Sequence, residues 1–207
     1  MNSLEMSIAV LFHPIDTFSY IKARERKVNY SACFLLLFMA AAVHITSIFL
    51  AHYPLASLQP KDANLWVEIV KLLLPVLTWV IACYAITTIW DGEAFIGEIF
   101  AASTYSMMPY IISTVPIALI TRVLGLEELQ LYSALQTFVW VWVLINFFLN
   151  VRTLNDYSMG KTFTVCITSL ISMFLIWAVV VLLFALTSQL LQFVQDVLLE
   201  IKMLFIR

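Results

Sequence analysis

Five long runs of apolar residues constrain the fold of this chain more than any other feature. They cover about residues 30–51, 67–90, 100–121, 131–149 and 162–186. A helix rises about 1.5 Å per residue, so about twenty apolar residues cross the roughly 30 Å hydrocarbon core of a bilayer. Helices satisfy their own backbone hydrogen bonds in lipid, where no water can do so. We therefore predict an all-α, polytopic membrane bundle with five transmembrane helices.

The composition agrees with lipid as the main solvent. Hydrophobic residues make up 63% and charged residues 12% of the 207, whereas soluble domains average about 45–50% and about 25%. A net charge of -2 gives no indication of a nucleic-acid partner. Glycine and proline are sparse and form no linker, so we expect one membrane domain over residues 1–207.

The three cysteines, Cys33, Cys83 and Cys166, fall in three different apolar runs without paired spacing. This arrangement predicts neither a disulfide framework nor a zinc site, and the thiols are interpreted as packing residues. The sequence also contains no glycine-rich phosphate loop and no recognisable nucleophile with an adjacent base. We therefore expect no cofactor and no enzymatic activity, with a lipid-modifying enzyme as the weakest of the alternatives.

The two ends of the chain are too polar to span and carry apolar residues at helical spacing. Residues 3–27 are predicted to form an interfacial segment, broken into two helices at His13-Pro14 because proline is tolerated in a first turn. Residues 187–207 are predicted to form an amphipathic tail helix, on the outer surface or packed on the spans. The first segment ends in a basic cluster, Lys22, Arg24, Arg26 and Lys27. This cluster favours a cytoplasmic N-terminus.

Three prolines interrupt the second and third spans. Pro75 lies in the second span, and Pro109 and Pro116 lie about two turns apart on one face of the third. Kinks that only shape the bundle are the commoner interpretation, and broken helices at a transport site are the alternative. Glu68 and Lys71, three residues apart near the start of the second span, are predicted to pair.

His44 lies inside the first span, where an ionisable side chain is a functional hypothesis by default. A neutral imidazole is buried cheaply, however, and we identify no acid at a span centre that would partner it. A packed, hydrogen-bonded histidine is therefore favoured over a proton or ligand site. We also identify no polar residues that would converge at mid-bilayer.

An acidic turn joins the second and third spans. Asp91, Glu93 and Glu98 follow each other closely there with no base among them. They are candidates for binding a cation or a basic partner, but a hard cation needs several convergent oxygens. A turn solvated by water is the favoured interpretation.

A family resemblance rests on the span layout together with two short motifs. The first segment contains Pro14 and Phe18, and the third span begins with Tyr105 to Pro109, YSMMP, after a short Gly-containing turn. In these features the chain, from about Phe12 to Leu186, resembles the bacterial branch of the Yip family, the Ypt/Rab-interacting membrane proteins. The resemblance implies a five-span bundle with a cytoplasmic N-terminus. Eukaryotic relatives assist vesicle traffic with prenylated small GTPases through a long N-terminal region, and the resemblance does not carry that binding over to this chain.

We expect a non-enzymatic scaffold or accessory subunit of a membrane complex in the bacterial cytoplasmic membrane. Its expected partners are the lipid bilayer and another membrane protein; an ABC-type nutrient importer is suggested by association with bacterial relatives, and a homo-oligomer is also compatible. The alternative is a small transporter or channel with a path along the kinked second and third spans. That path would involve Pro75, Pro109, Pro116, His44 and Asn146.

Overall fold

A computed structural model describes residues 3–23, 29–52 and 63–205 of the chain. These residues form helices and turns and no strand. The helices are α1 (Ser3–Phe12), α2 (Pro14–Ala23), α3 (Tyr30–Leu50), α4 (Leu65–Ile89), α5 (Ile96–Ser106), α6 (Met108–Ile120), α7 (Leu129–Asn155) and α8 (Met159–Phe205). Five stretches are long and apolar enough to cross a membrane, with α5 and α6 together forming the third. The predicted all-α membrane bundle with five spans is confirmed.

The ends of the spans define two ends of the bundle. The near end is where α3 begins, α4 ends, α5 begins and α7 ends. There the hydroxyl of Tyr157 donates a hydrogen bond of 3.0 Å to the carbonyl of Trp90. The far end is where α3 ends, α4 begins and α6 ends. There the backbone N–H of His52 donates to Oγ1 of Thr121 over 2.9 Å.

The first segment breaks where the sequence predicts. His13 separates α1 from α2, and Pro14 opens α2. Val10 and Phe18 are fully buried because α1 packs on α5 and α6, and α2 packs on α5 and α7. The apolar face of the segment therefore covers the bundle. The basic residues Arg24, Arg26 and Lys27 lie outside the described residues.

The third span is interrupted at Met107, two residues before Pro109, which is one of the three prolines named in the sequence analysis. Proline has no N–H for the carbonyl of Tyr105, and it disfavours helical geometry in the residue before it. The N–H of Met107 turns to the carbonyl of Thr104 at 3.2 Å, and Pro109 lies in the first turn of α6. The other prolines, Pro75 and Pro116, lie inside α4 and α6, which remain helical through them. Only one of the three prolines therefore accompanies a break.

Two predicted boundaries differ from the structure. The fourth span, predicted to end at 149, continues as helix to Asn155, because the polar side chains of Asn150 and Asn155 are buried against neighbouring helices and do not form a solvated turn. The helix stops at Asp156, which adopts a left-handed conformation with φ 50°. The tail 187–207 is helical as far as Phe205 but continues α8 without interruption. No glycine or proline follows Gly160 to end that helix.

Candidate functional site

A cavity of about 210 Å³ opens at the far end of the bundle, between α3, α4, α6 and α7. His44 from α3 and Glu68 from α4 supply its ionisable side chains. The remaining polar and aromatic side chains of its wall are Ser47, Tyr110, Thr114, Tyr132, Gln136 and Trp140. His44 lies less than two turns before α3 ends, and Glu68 lies in the first turn of α4. The cavity therefore opens near the far ends of α3 and α4, while Tyr110 and Trp140 line its deeper part.

A chain of hydrogen bonds runs across the cavity wall. Nδ1 of His44 lies 2.7 Å from the hydroxyl of Tyr110, and Nε2 lies 3.4 Å from Oε2 of Glu68. When the ring proton is on Nε2, Tyr110 donates to Nδ1 and the imidazole donates to the carboxylate. A neutral His44 is then satisfied on both ring nitrogens, and it orients Glu68.

Glu68 also accepts a hydrogen bond from Lys71, and this predicted pair is confirmed at 2.7 Å. The two side chains differ in exposure: the Lys71 side chain is 62% exposed and that of Glu68 12%. The carboxylate thus belongs to the cavity, while the ammonium group extends into solvent from its rim. The sequence places no acid at a span centre for His44, and its acidic partner indeed comes from elsewhere, since Glu68 lies in the first turn of the next span. His44 is hydrogen-bonded, as the favoured interpretation expects.

Aromatic rings form one side of the cavity. The rings of Tyr110 and Trp140 are tilted against each other with centroids 5.2 Å apart, and the ring of His44 lies 6.4 Å from that of Tyr110. Tyr132 extends this wall, and its hydroxyl accepts a hydrogen bond of 2.6 Å from Gln136. A carboxylate and several π-faces therefore surround one small space.

A polar stripe of two buried asparagines lies on the inner face of α7, separated from the cavity by two buried valines. Val139, which lines the cavity, is followed on this face by Val143, Asn146 and Asn150, all buried. Nδ2 of Asn150 donates to Oγ of Ser106 over 3.0 Å, just before the break in the third span. Neither amide atom of Asn146 has a hydrogen-bond partner among the described residues. The contact of Asn150 with Ser106 joins two spans through polar side chains, which was not predicted from the sequence.

The acidic turn at the near end is closed by a base from another helix. Nζ of Lys22 on α2 contacts Oδ2 of Asp156 and lies 3.0 Å from Oε2 of Glu93. Burial lowers the pKa of Lys22, but its hydrogen bonds to Asp156 and Glu93 and their charges raise it more, so that the pKa is above its ordinary value of 10.5. Glu93 remains 68% exposed, so the favoured interpretation of a solvated turn holds for it. That interpretation is wrong for Glu98, which is buried. Lys22 joins α2 to the turn before α5 and to the turn after α7.

Glu98 has a structural role in the first turn of α5. Its side chain is buried, and Oε2 accepts a hydrogen bond of 2.9 Å from the N–H of Phe95. This contact satisfies a backbone donor at the helix start, where a negative charge also faces the positive end of the helix dipole. Asp91 remains exposed, in a left-handed conformation with φ 53°. The three acids therefore do not converge as a cation site would require.

The residues singled out from the sequence fall into separate places. Tyr105 and Pro109 are buried in the core around the break in the third span, whereas Pro116 is exposed and Pro75 is half-buried. His44 lies in the far-end cavity, at the opposite end of α4 from Asp91 and Glu93. The missed residues of the cavity are Glu68, Tyr110, Tyr132, Gln136 and Trp140. Only the pairing of Glu68 with Lys71 was visible in the sequence, since the others meet across different helices.

The fold and the cavity define a class: a polytopic, all-α membrane protein with a mainly apolar core and a small polar cavity at one end. The family model of the Yip1 domain matches residues 8–193, and the chain therefore belongs to the Yip1 family. The resemblance to the Yip family is therefore confirmed, and its bacterial branch stays a prediction. No curated protein and no solved structure matches the chain.

Proposed function

We propose that this protein is a non-enzymatic scaffold or accessory subunit of a membrane complex, and that it binds its partner through the far part of α8. The helix has 47 residues, which gives a length of about 70 Å. That length is more than twice the roughly 30 Å of hydrocarbon that it has to cross. The helix therefore reaches well beyond the span that it forms.

The observation that carries this proposal is the exposure of α8. Its first half packs on the bundle through Thr162, Val165 and Ser169, which are fully buried. The hydrogen bond from Nε1 of Trp177 to Oγ1 of Thr78, 3.2 Å long, lies at the end of this packed part. No described side chain from 178 to 196 is buried.

Lipid accounts for exposed apolar residues as far as about Leu186, but not beyond it. Residues 187–196 mix Gln189, Gln192 and Asp196 with the exposed side chains of Leu190 and Phe193. A helix of this kind is marginal alone in water, and a contiguous apolar face on it marks an interaction site. A helix of a partner membrane protein fits this face, since it would bury the apolar residues and leave the glutamines in water.

Photo-crosslinking from α8 tests this proposal. A crosslinking amino acid at Phe193 should give a stoichiometric adduct with another membrane protein in native membranes, and mass spectrometry identifies that protein. Phe193→Glu should abolish co-purification, whereas Gln192→Glu on the polar face should preserve it. Adducts with lipid alone, together with a clean monomer in mild detergent, would refute the accessory-subunit role. An ABC-type importer is the partner that we propose to look for first.

We also propose the bacterial cytoplasmic membrane as the location, with a cytoplasmic N-terminus. The basic residues beside the first span support this orientation. Single cysteines introduced into a cysteine-free variant test it. Lys161→Cys, in the first turn of α8 at the near end, should be protected from an impermeant thiol reagent in intact cells, and Glu127→Cys at the far end should be labelled. The reverse pattern would refute the orientation.

A small transporter is the second candidate, and the polar stripe on α7 favours it. An unpaired buried polar atom costs about 1–3 kcal/mol, so the bare amide of Asn146 is expensive unless water or a solute reaches it. The stripe also passes the break in the third span, which is a feature of transport sites. Flux into liposomes should be lost in Asn146→Leu and retained in Thr137→Val on the exposed face of α7. Absence of flux for a panel of protons, amines and amino acids would leave the scaffold as the function.

A further inference from the structure

We propose that the far-end cavity is a binding site for a small organic ammonium group, primary or quaternary, which pairs with Glu68 and lies against the rings of Tyr110 and Trp140. The proposal is independent of both functions above, because it concerns binding alone and is measured directly. It starts from the charge inside the cavity. Among the described residues of the wall, Glu68 is the one carboxylate and His44 is the one side chain that becomes a cation by taking up a proton.

His44 does not neutralise this charge when its imidazole is neutral. Its two ring nitrogens are engaged by Tyr110 and Glu68, which leaves the ring as a hydrogen-bond donor to the carboxylate. The wall therefore presents one negative charge, held in place and largely withdrawn from water. A carboxylate so oriented favours a cationic ligand.

The aromatic rings favour the same ligand. A cation within about 6 Å of a ring centroid is attracted by the negative face of the ring, and the attraction grows when water is excluded. Tyr110, Trp140 and Tyr132 all contribute to the wall that surrounds the carboxylate. The combination of one acid with several rings is the chemistry by which proteins recognise quaternary ammonium groups.

Lys71 acts as the internal competitor for this site. Its ammonium group already lies 2.7 Å from Oε1 of Glu68, but its side chain is 62% exposed. An ion pair formed by such an exposed side chain is weak, because water screens the charge and the side chain loses freedom on pairing. A ligand that fills the cavity and also contacts the rings displaces it, and Lys71 then turns to solvent.

The size of the cavity limits the ligand to a compact group. Its volume of about 210 Å³ is below the roughly 300–1,000 Å³ of pockets for drug-sized molecules. Choline and ethanolamine have the right chemistry and bulk, either as free amines or as the headgroups of lipids. Both sources can reach the cavity because it opens where the spans end.

Isothermal titration of the purified full-length protein with choline, ethanolamine and tetramethylammonium tests the proposal. Titration with short-chain phosphatidylethanolamine, against phosphatidylglycerol of the same chain length, separates a lipid headgroup from a free amine. Binding of either amine source in the wild type is the expected result. The uncharged choline analogue 3,3-dimethylbutanol should not bind, since it has the shape of choline without its charge.

Variants then assign the binding to the cavity. Glu68→Gln should weaken it by about tenfold or more, because the ligand loses its charged partner. Glu127→Gln carries the same change of charge at the same end of the bundle, outside the cavity, and should have no effect. Trp140→Leu should weaken binding about fivefold, whereas Trp142→Leu should not. Lys71→Met should strengthen binding of the free amines by up to about fivefold.

The proposal is overturned if neither amines nor the amine lipid bind to the wild type. Equal affinity in Glu68→Gln and Glu127→Gln, or equal binding of the uncharged analogue, would overturn it as well. Because Lys71→Met removes only an exposed side chain, its expected gain in affinity remains measurable even if Glu68→Gln is too unstable to titrate. Unchanged or weaker binding in Lys71→Met would then count against the proposal.

Discussion

The side-chain amide of Asn155 joins α7 to the start of α5 at the near end, and its removal tests how that end is held. Oδ1 accepts a hydrogen bond of 3.2 Å from the backbone N–H of Ala94, and Nδ2 donates to the carbonyl of Val151 over 3.0 Å. The side chain is 4% exposed, so water does not compete for these contacts. Asn155→Ala removes both of them.

The cost is dominated by the donor that loses its acceptor. The N–H of Ala94 is buried and lies before the first turn of α5, so no helical carbonyl replaces Oδ1. Leaving such a group unsatisfied costs about 1–3 kcal/mol. The carbonyl of Val151 remains within α7, and losing its second donor adds little. We expect the free energy of unfolding of this end to fall by about 2 kcal/mol.

Hydrogen exchange measured on the Ala94 amide is the direct assay. A loss of about 2 kcal/mol in local stability speeds its exchange about thirtyfold. Gln130→Ala removes an exposed amide side chain from the other end of α7 and serves as the control, with no expected effect. Exchange within about threefold of the control would refute the assignment of this hydrogen bond as a main contact of the near end.

Three further substitutions test other parts of the structure. Lys22→Met should loosen α2 and lower the unfolding free energy by about 1 kcal/mol. Because the folded pKa of Lys22 is raised, this contribution should be fully present below pH 10.5 as long as Asp156 and Glu93 are ionised, and it should vanish as the pH rises through the folded value. The thermal stabilities of variant and wild type should then converge. Gly92→Ala should destabilise the same end, since a Cβ would lie 2.8 Å from the carbonyl oxygen of Thr87, and an unchanged melting temperature would contradict this. Pro109→Ala restores an N–H for the carbonyl of Tyr105, so distances between spin labels at the two ends of the third span should lengthen as the break closes.

Features that depend on one helix at a time were predictable from the sequence. The five spans follow from the length of the apolar runs, and the break of the first segment follows from Pro14. The pair of Glu68 and Lys71 follows from their spacing of three residues on one helix. In each case the sequence pattern and the structural feature that it predicts lie within one helix or at its end.

Features that depend on how helices meet were not predictable. Lys22 and Asp156 are 134 residues apart, and His44 and Glu68 are 24 residues apart on different spans. Spacing along a helix shows which residues share a face, but not which faces of two helices pack together. For this reason the sequence showed neither the lysine beside Glu93 nor the carboxylate beside His44.

The proposed partner-binding part of α8 and the proposed ammonium site lie at the same end of the molecule. Helix α8 begins at the near end, so its exposed part projects at the far end, where the cavity opens. The helices that α8 packs against, α4 and α7, both contribute side chains to the cavity wall: Glu68 comes from α4 and Trp140 from α7. A ligand that binds Glu68 acts on the first turn of α4, while Thr78 of that helix holds Trp177 of α8. A ligand in the cavity would act on a partner of α8 only through different affinities for two arrangements of these helices, and both α4 and α7 contact the cavity and α8.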